Sequence, residues 1–559
     1  MKKSLLLQVV MLLLVSAFAK AQSEQLARNY ADQGEYQKAI ISYKKALVKQ
    51  RGNSVLLAGL IKSYQQLEQY NKAEEVISQN LKTTRDKGFL LVELGYNHQL
   101  QAQDSIARSY YDQVIEGVAQ GTMNPYRAAR TLQQHSLLEE AVRTYEVGME
   151  SNPNSNFNIQ LAKLYGELGE VQKMFDAYLN LINRSGKYVQ VAQRNFSIYI
   201  NDDPLNDANI IFRKTLLKRL QSEQNVLYND LLSWLFIQQK QYNKAFAQEK
   251  AIYRRTDGRY EGLENLADIA IEEGELEDAR EILLFLKENI ANEDVKLEAE
   301  QKLIKIDIAS ASTADAQEAI KNRYEAILDE YGQTPFTIPL QIDYAHYLAF
   351  NMEQPDAAIT YLKKSLKSPL RRFDEARLKM ELADVLVLKE KFNQALIYYS
   401  QIQNKIKNNV ISQEARFKVA QTSYYKADFD WAEAQLNVLK AGATQLIAND
   451  ALELLLVIRD NSMDDSLQTA LKKYATASLR AYQNKTEEAI TLYDDILEVH
   501  KGEKIEDEAL LSQAKLLEAK KDFKKAEKNY LTIIEYYSDG VLADDAYYRL
   551  ARLYEGPLN

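Results

Sequence analysis

Cysteine is absent from this chain of 559 residues, and proline (8), histidine (4) and glycine (19) are sparse. Without thiols there is no disulfide, no thiolate metal site, no thiol nucleophile and no lipid acceptor behind a leader. Too little Gly and Pro remains to punctuate a many-stranded fold, so helices are favoured. The histidines, His98, His135, His346 and His500, stand far apart, and none has His-Glu-x-x-His or Glu-x-x-His spacing. No Gly-x-Ser-x-Gly elbow and no Gly-x-x-x-x-Gly-Lys phosphate loop occurs. Acid pairs such as Glu139-Glu140, Glu272-Glu273 and Asp544-Asp545 read as solvated helix faces. The sequence therefore predicts no enzyme, no metal and no cofactor.

What is present first is an N-terminal leader. Lys2 and Lys3, the apolar run Leu5 to Ala19 and the small-residue close Ala19-Lys20-Ala21 have the three regions of a cleavable secretory signal. The run is short for a membrane span and holds Gln8, so the expectation is an exported, periplasmic chain cut after Ala21, with no transmembrane segment remaining. The cut removes three lysines and moves the formal charge from -9 to -12. An exported acidic chain is a poor partner for nucleic acid.

The mature chain opens on Ser23 to Lys49, which reads as a helix hairpin. Leu26, Ala27 and Tyr30 form an apolar stripe, Gly34 ends the helix, and Ala39, Ile40, Tyr43, Ala46 and Leu47 continue the stripe after Tyr36. Small residues at the crossing, Ala27 and Ala39, let two backbones approach while tyrosines fill the flanks. One such hairpin cannot bury its stripe alone, and the sequence supplies neighbours. The small residue of each second helix recurs at Ala39, Ala73, Ala107, Ala141, Met174, Ala208, Ala245 and Ala279, with spacings of 34, 34, 34, 33, 34, 37 and 34. Twelve residues earlier stand Ala27, Ile61, Gly95, Ala129, Ala162, Phe196, Ser233 and Ala267.

This register resembles the tetratricopeptide repeat family. The resemblance implies an all-α, right-handed solenoid of about thirteen helix-turn-helix repeats in two arrays. The first array covers 22–290; 291–370, with four of the eight prolines, reads as a degenerate repeat and joint; 371–559 is a second array. Its marks are Ala357, Ala395, Ala432, Ala489 and Ala526, spaced by 38, 37, 57 and 37. The long gap holds an inserted helical segment at about 446–467, whose all-round apolar character predicts burial. Met174 and Phe196 depart from the pattern, so the middle hairpins are expected to splay. The second half resembles exported repeat proteins of Gram-negative envelopes, Bacteroidota among them. Asp104-Ser105-Ile106 and Asp465-Ser466-Leu467 fit a short O-glycosylation pattern of such envelopes.

In the family the first helices line a concave groove, and the residue after the small one points into it. Here that implies a ladder of Arg28, Lys62, Tyr96, Arg130 and Lys163, suited to an extended acidic peptide or a C-terminal carboxylate. In the second array Tyr424 and Tyr425, with Phe417, Tyr474, Tyr482 and Tyr548, fall near the equivalent groove. The resulting expectation is a non-catalytic protein-binding scaffold of the bacterial envelope. The alternatives are a structural subunit of an envelope assembly, secretion or division machine, and, from another class, an enzyme or carbohydrate-binding module. Export is tested directly by N-terminal sequencing of the protein from its native host: the mature chain should begin at Gln22, and an intact Met1 end would overturn the leader.

Overall fold

The structure, a computed structural model, describes residues 24–442, 444–462 and 468–558. The leader and Ser466 lie outside these residues. Among the described residues the regular structure is helical throughout, and no strand occurs. Among the described residues no helix is long and apolar enough to cross a membrane. The chain divides into two compact units between Asn292 and Glu293.

In the N-terminal unit the hairpin rule is visible from its first member. A helix at 24–32 turns at Gly34, whose φ of +76° is left-handed, into Tyr36–Lys49. Ala27 and Ala39 are fully buried at the crossing, and Tyr43 shares their core. The marks Ala73, Ala107, Ala141, Met174, Ala245 and Ala279, like Ile61, Ala129, Ala162, Phe196, Ser233 and Ala267, are buried in turn. Ala208 breaks the rule. The next residue, Asn209, takes the inward place, and its amide donates to the Asn201 and Asp203 carbonyls at 2.9 and 2.6 Å. The turns share a left-handed residue even where glycine is missing: Glu68, Ala102 and Ser136 have φ of 56°, 57° and 59°.

The expected splay is confined to one hairpin. Phe196 ends a helix of only eight residues, Val189–Phe196. The following helix, Asp207–Ser222, packs on Val171–Arg184 rather than closely on that short partner. Aromatic contacts fill the space left by the missing small residue, with Phe212 4.6 Å from both Phe175 and Phe196, centroid to centroid.

In the C-terminal unit, residues 293–370 share a hydrophobic core with the repeats that follow, running from Leu297 through Tyr347 and Leu382 to Val419. Three of the four prolines begin helices here instead of breaking them. Pro335 opens Pro335–Thr337 under a Thr334 cap, Pro339 lies in the first turn of Ile338–His346, and Pro355 opens Pro355–Ser365. All three positions lack a partner for a backbone N–H in any case. The mark predicted at Ala357 is displaced: Ala357 is exposed and Ala358 is fully buried. With Ala358 as the mark, the spacing to Ala395 becomes 37, equal to the next one.

The inserted segment is the helix Gln445–Asp460, packed against Phe429–Gly442, Val410–Tyr425 and Ile505–Ala519. Its predicted complete burial is wrong. Ile447, Ala451, Leu455 and Ile458 are buried, whereas Leu446 is 73% exposed and Leu452 36%. Neighbouring helices cover one face only.

One close crossing supplies a test. At Gly95 a Cβ would sit 2.5 Å from the Tyr111 ring and 3.1 Å from the Ala107 carbonyl oxygen. Gly95→Ala gains about 1 kcal/mol of helix preference and loses about 1–3 kcal/mol to overpacking. The expected net result is a lower melting temperature; a higher one would show that the crossing has room.

Candidate functional site

Four first helices, 24–32, Ser54–Gln66, Gly88–Gln99 and Pro125–Gln134, bound one cavity of about 400 Å³ in the N-terminal unit. Arg28 and Arg130 of the predicted ladder both line it, together with Phe89, Glu93, Arg127 and Gln134. Arg28 donates to Glu24 at 2.6 Å, and Arg127 pairs with Asp86 at 3.2 Å while its guanidinium lies 5.2 Å from the Phe89 ring centre. Arg130 is exposed and has no ion pair among the described residues. Two cations are thus held in place by acids at the edge, and the third is open.

Glu93 is the residue that the ladder overlooked. It is 4% exposed on the cavity floor and accepts a hydrogen bond from His135 Nε2 at 3.1 Å through Oε1. Its buried Oε2 has no hydrogen-bond partner among the described residues. The His135 ring stacks on Tyr96, with centroids 3.8 Å apart and planes at 21°. Tyr96 is therefore not a free rung; it holds the histidine that holds the acid. The signal was present in the sequence as one carboxylate inside the apolar run from Phe89 to Leu94. Lys62 and Lys163 are exposed and unpaired among the described residues, yet neither lines the cavity. The predicted five-rung ladder reduces to the pair Arg28 and Arg130, because side chains at the other positions do not converge.

Two cavities of the C-terminal unit are lined by the inserted helix. One, about 360 Å³, is lined by Phe417, Gln421, Tyr425, Tyr474, Glu453 and Val457. The other, about 750 Å³, shares Glu453, Val457 and Tyr474 and extends to Leu511, Tyr537 and Leu542. Tyr424, expected at a partner surface, is 2% exposed and is a core residue with only its edge on the smaller cavity. Tyr425 is half-buried and does line it. Tyr482 donates its hydroxyl to the Asp384 carbonyl at 3.0 Å, and Tyr548 is exposed away from both cavities. Desolvation raises the hydroxyl pKa of Tyr424, Tyr425 and Tyr474 well above that of free tyrosine, so these rings stay neutral.

His98 and His500 bond to Gln103 and Glu503, and His346 bonds to Glu381 at 3.1 Å. No group of three or more potential metal-binding side chains occurs among the described residues. Ser105 is exposed at the start of Asp104–Ala119.

At the larger cavity, burial and the adjoining Asp507 push the Glu508 carboxyl up to about 9, and Asn461 Nδ2 lies 3.4 Å from its Oε1. The folded state then holds a proton that the unfolded chain releases above about pH 4.3. Fewer protons in the unfolded state mean that stability falls as pH rises through this window. Glu508→Gln should flatten that decline, seen as urea midpoints that diverge from the parent protein's between about pH 5 and pH 9. Parallel midpoints would place an ordinary carboxylate there.

The tetratricopeptide repeat family matches the chain over residues 474–541. A TPR repeat-containing protein of Methanocaldococcus jannaschii is 22% identical over 249 residues, which are 41% of this chain and 44% of that protein. The chain thus spans less than half the length of this curated relative. Among solved structures, the APC/C hetero-tetramer Cut9-Hcn1 is similar with a TM-score of 0.27 and 13% identity, over 95% of this chain and 96% of that one. The structure of Naa15/Naa10 bound to HypK-THB gives 0.25 and 12%, over 89% and 77%. At those TM-scores neither structure informs the site. The family match places a tetratricopeptide repeat at 474–541, and the recurring buried alanines give the other hairpins the same small-residue crossing.

Proposed function

We propose that the chain is a non-catalytic protein-interaction scaffold of the bacterial envelope, and that its N-terminal groove holds an extended acidic segment of a partner polypeptide. The carrying observation is the cavity that gathers Arg28, Arg127 and Arg130 above a buried Glu93. Guanidinium groups suit carboxylates because they donate in a planar fork. The floor asks for the complementary group. Glu93 Oε2 is a buried acceptor with no partner among the described residues, and a backbone N–H of an extended peptide is a donor of the right kind. Phe89 and Tyr126, which also line the cavity, offer apolar area between the charges. Arg28 and Arg127 are already oriented by Glu24 and Asp86, so less rotamer freedom is lost on binding. Export of the mature chain, read from the leader, would place the partner in the same compartment.

The reading is tested on the full chain with fluorescent peptides of about 12 residues that differ only in Glu or Gln content. Arg130→Glu should weaken the acidic peptide by about tenfold, and the loss should shrink as salt rises. Lys62→Glu, outside the cavity, should have a smaller effect. Equal binding of the Glu and Gln peptides, or an Arg130→Glu variant that binds as before, would refute it.

A further inference from the structure

We propose that the C-terminal cavities lined by Gln445–Asp460 form a second docking site, and that its occupant is a basic amphipathic polypeptide segment. The proposal rests on the scaffold reading but assigns a separate site with the opposite charge preference.

The first support is the inserted helix. Leu452, Leu456 and Val457 line the larger cavity, and Leu511 and Leu542 line its other walls. Those of the inserted helix have the composition of a core face but are only partly covered: Leu452 is 36% exposed, and Leu456 and Val457 are half-buried, above a buried Leu511. A cavity of about 750 Å³ has room for several side chains of a peptide.

Charge decides between occupants. Glu453, Asp460, Asp539 and Asp545 line the same cavity, are exposed, and make no ion pair among the described residues. Elsewhere in this unit, acids are matched across neighbouring elements: Asp356 by Lys389, Glu375 by Lys405, Glu390 by Arg480, and Glu518 by Arg549. The cavity's own cations, Lys504 and Lys515, do not balance the acids that surround it. An apolar floor under unpaired carboxylates selects a partner with apolar anchors and cationic flanks, since floor contacts supply affinity while rim charges set on-rate and specificity. Anionic lipid and nucleic acid are repelled by the same rim.

The test uses the full chain and three labelled peptides: the unit Lys-Leu-Ala-Lys three times over, and the same sequence with every Lys replaced by Gln or by Glu. The Lys peptide should bind, weaken by about tenfold between about 50 and 300 mM salt, and weaken by about tenfold in Glu453→Lys/Asp460→Lys. Asp539→Asn/Asp545→Asn, which keeps size and packing, should weaken it by about threefold, so the outcome does not depend on the reversed variant folding. Arg130→Glu should leave it unchanged. Binding of the Gln peptide as tightly as the Lys peptide would show an apolar site without charge preference and overturn the proposal. Failure of the Lys peptide to bind, or indifference to both sets of substitutions, would overturn it too. Loss of the acidic peptide at the N-terminal groove, with the Lys peptide still bound, would sink only the function proposed for that groove.

Discussion

The structure depends on how closely two helices can cross within each hairpin. Where both crossing residues are small, as with Ala129 and Ala141, each fully buried, the backbones meet and a tyrosine on the second helix closes the side. Tyr145 and Tyr111 do this, and desolvation pushes the Tyr145 hydroxyl up to about 12. Dispersion contacts at such a crossing are individually weak and fall off steeply with separation, so one wide residue changes the whole hairpin. Phe196 shows the consequence: its helix is shortened and aromatic rings take over the packing. Regular crossings present the polar side of each first helix at a regular interval, and a groove is what that repetition leaves.

Within the grooves, function follows from which charges are already paired. A surface ion pair contributes only about 0–1 kcal/mol, so Arg28 with Glu24 and Arg127 with Asp86 do little for stability. They do fix direction. A buried carboxylate is different, because desolvation makes an unmet hydrogen bond costly. Glu93 is kept in place by His135, and His135 by Tyr96. A polar floor is thereby held inside a wall that is otherwise apolar, from Leu90 to Leu94.

How much of this could be read in advance follows from the same physics. The packing alanines recur because the crossing tolerates nothing larger, so their spacing was legible. Spacing cannot choose between two adjacent small residues: Ala357 and Ala358 differ by one step of about 100° around the helix, and only the tertiary packing sends Ala358 inward. The left-handed turns at Glu68, Ala102 and Ser136 are invisible because no glycine marks them; register imposes a conformation that the residues disfavour. Arg28 and Arg130 were legible as repeat positions. Glu93 and His135 were not joined, since a contact 42 residues apart belongs to no single repeat. Tyr424 and Tyr425 both reach the smaller cavity, but packing leaves Tyr424 only 2% exposed, which spacing alone does not reveal.

The inserted helix Gln445–Asp460 was misjudged for a reason that also explains its use. A helix apolar on every side is expected to be enclosed, yet this one lies against helices that cover a single face. Its uncovered leucines lose no more by staying wet than other surface apolar groups do, and Glu453 and Asp460, on the same helix, keep the exposed side soluble. Exposed like charges in water repel only weakly over several ångströms. An acidic rim above an apolar floor is therefore tolerable when empty, and both of its deficits, the wet leucines and the unmatched carboxylates, are removed together by one kind of occupant.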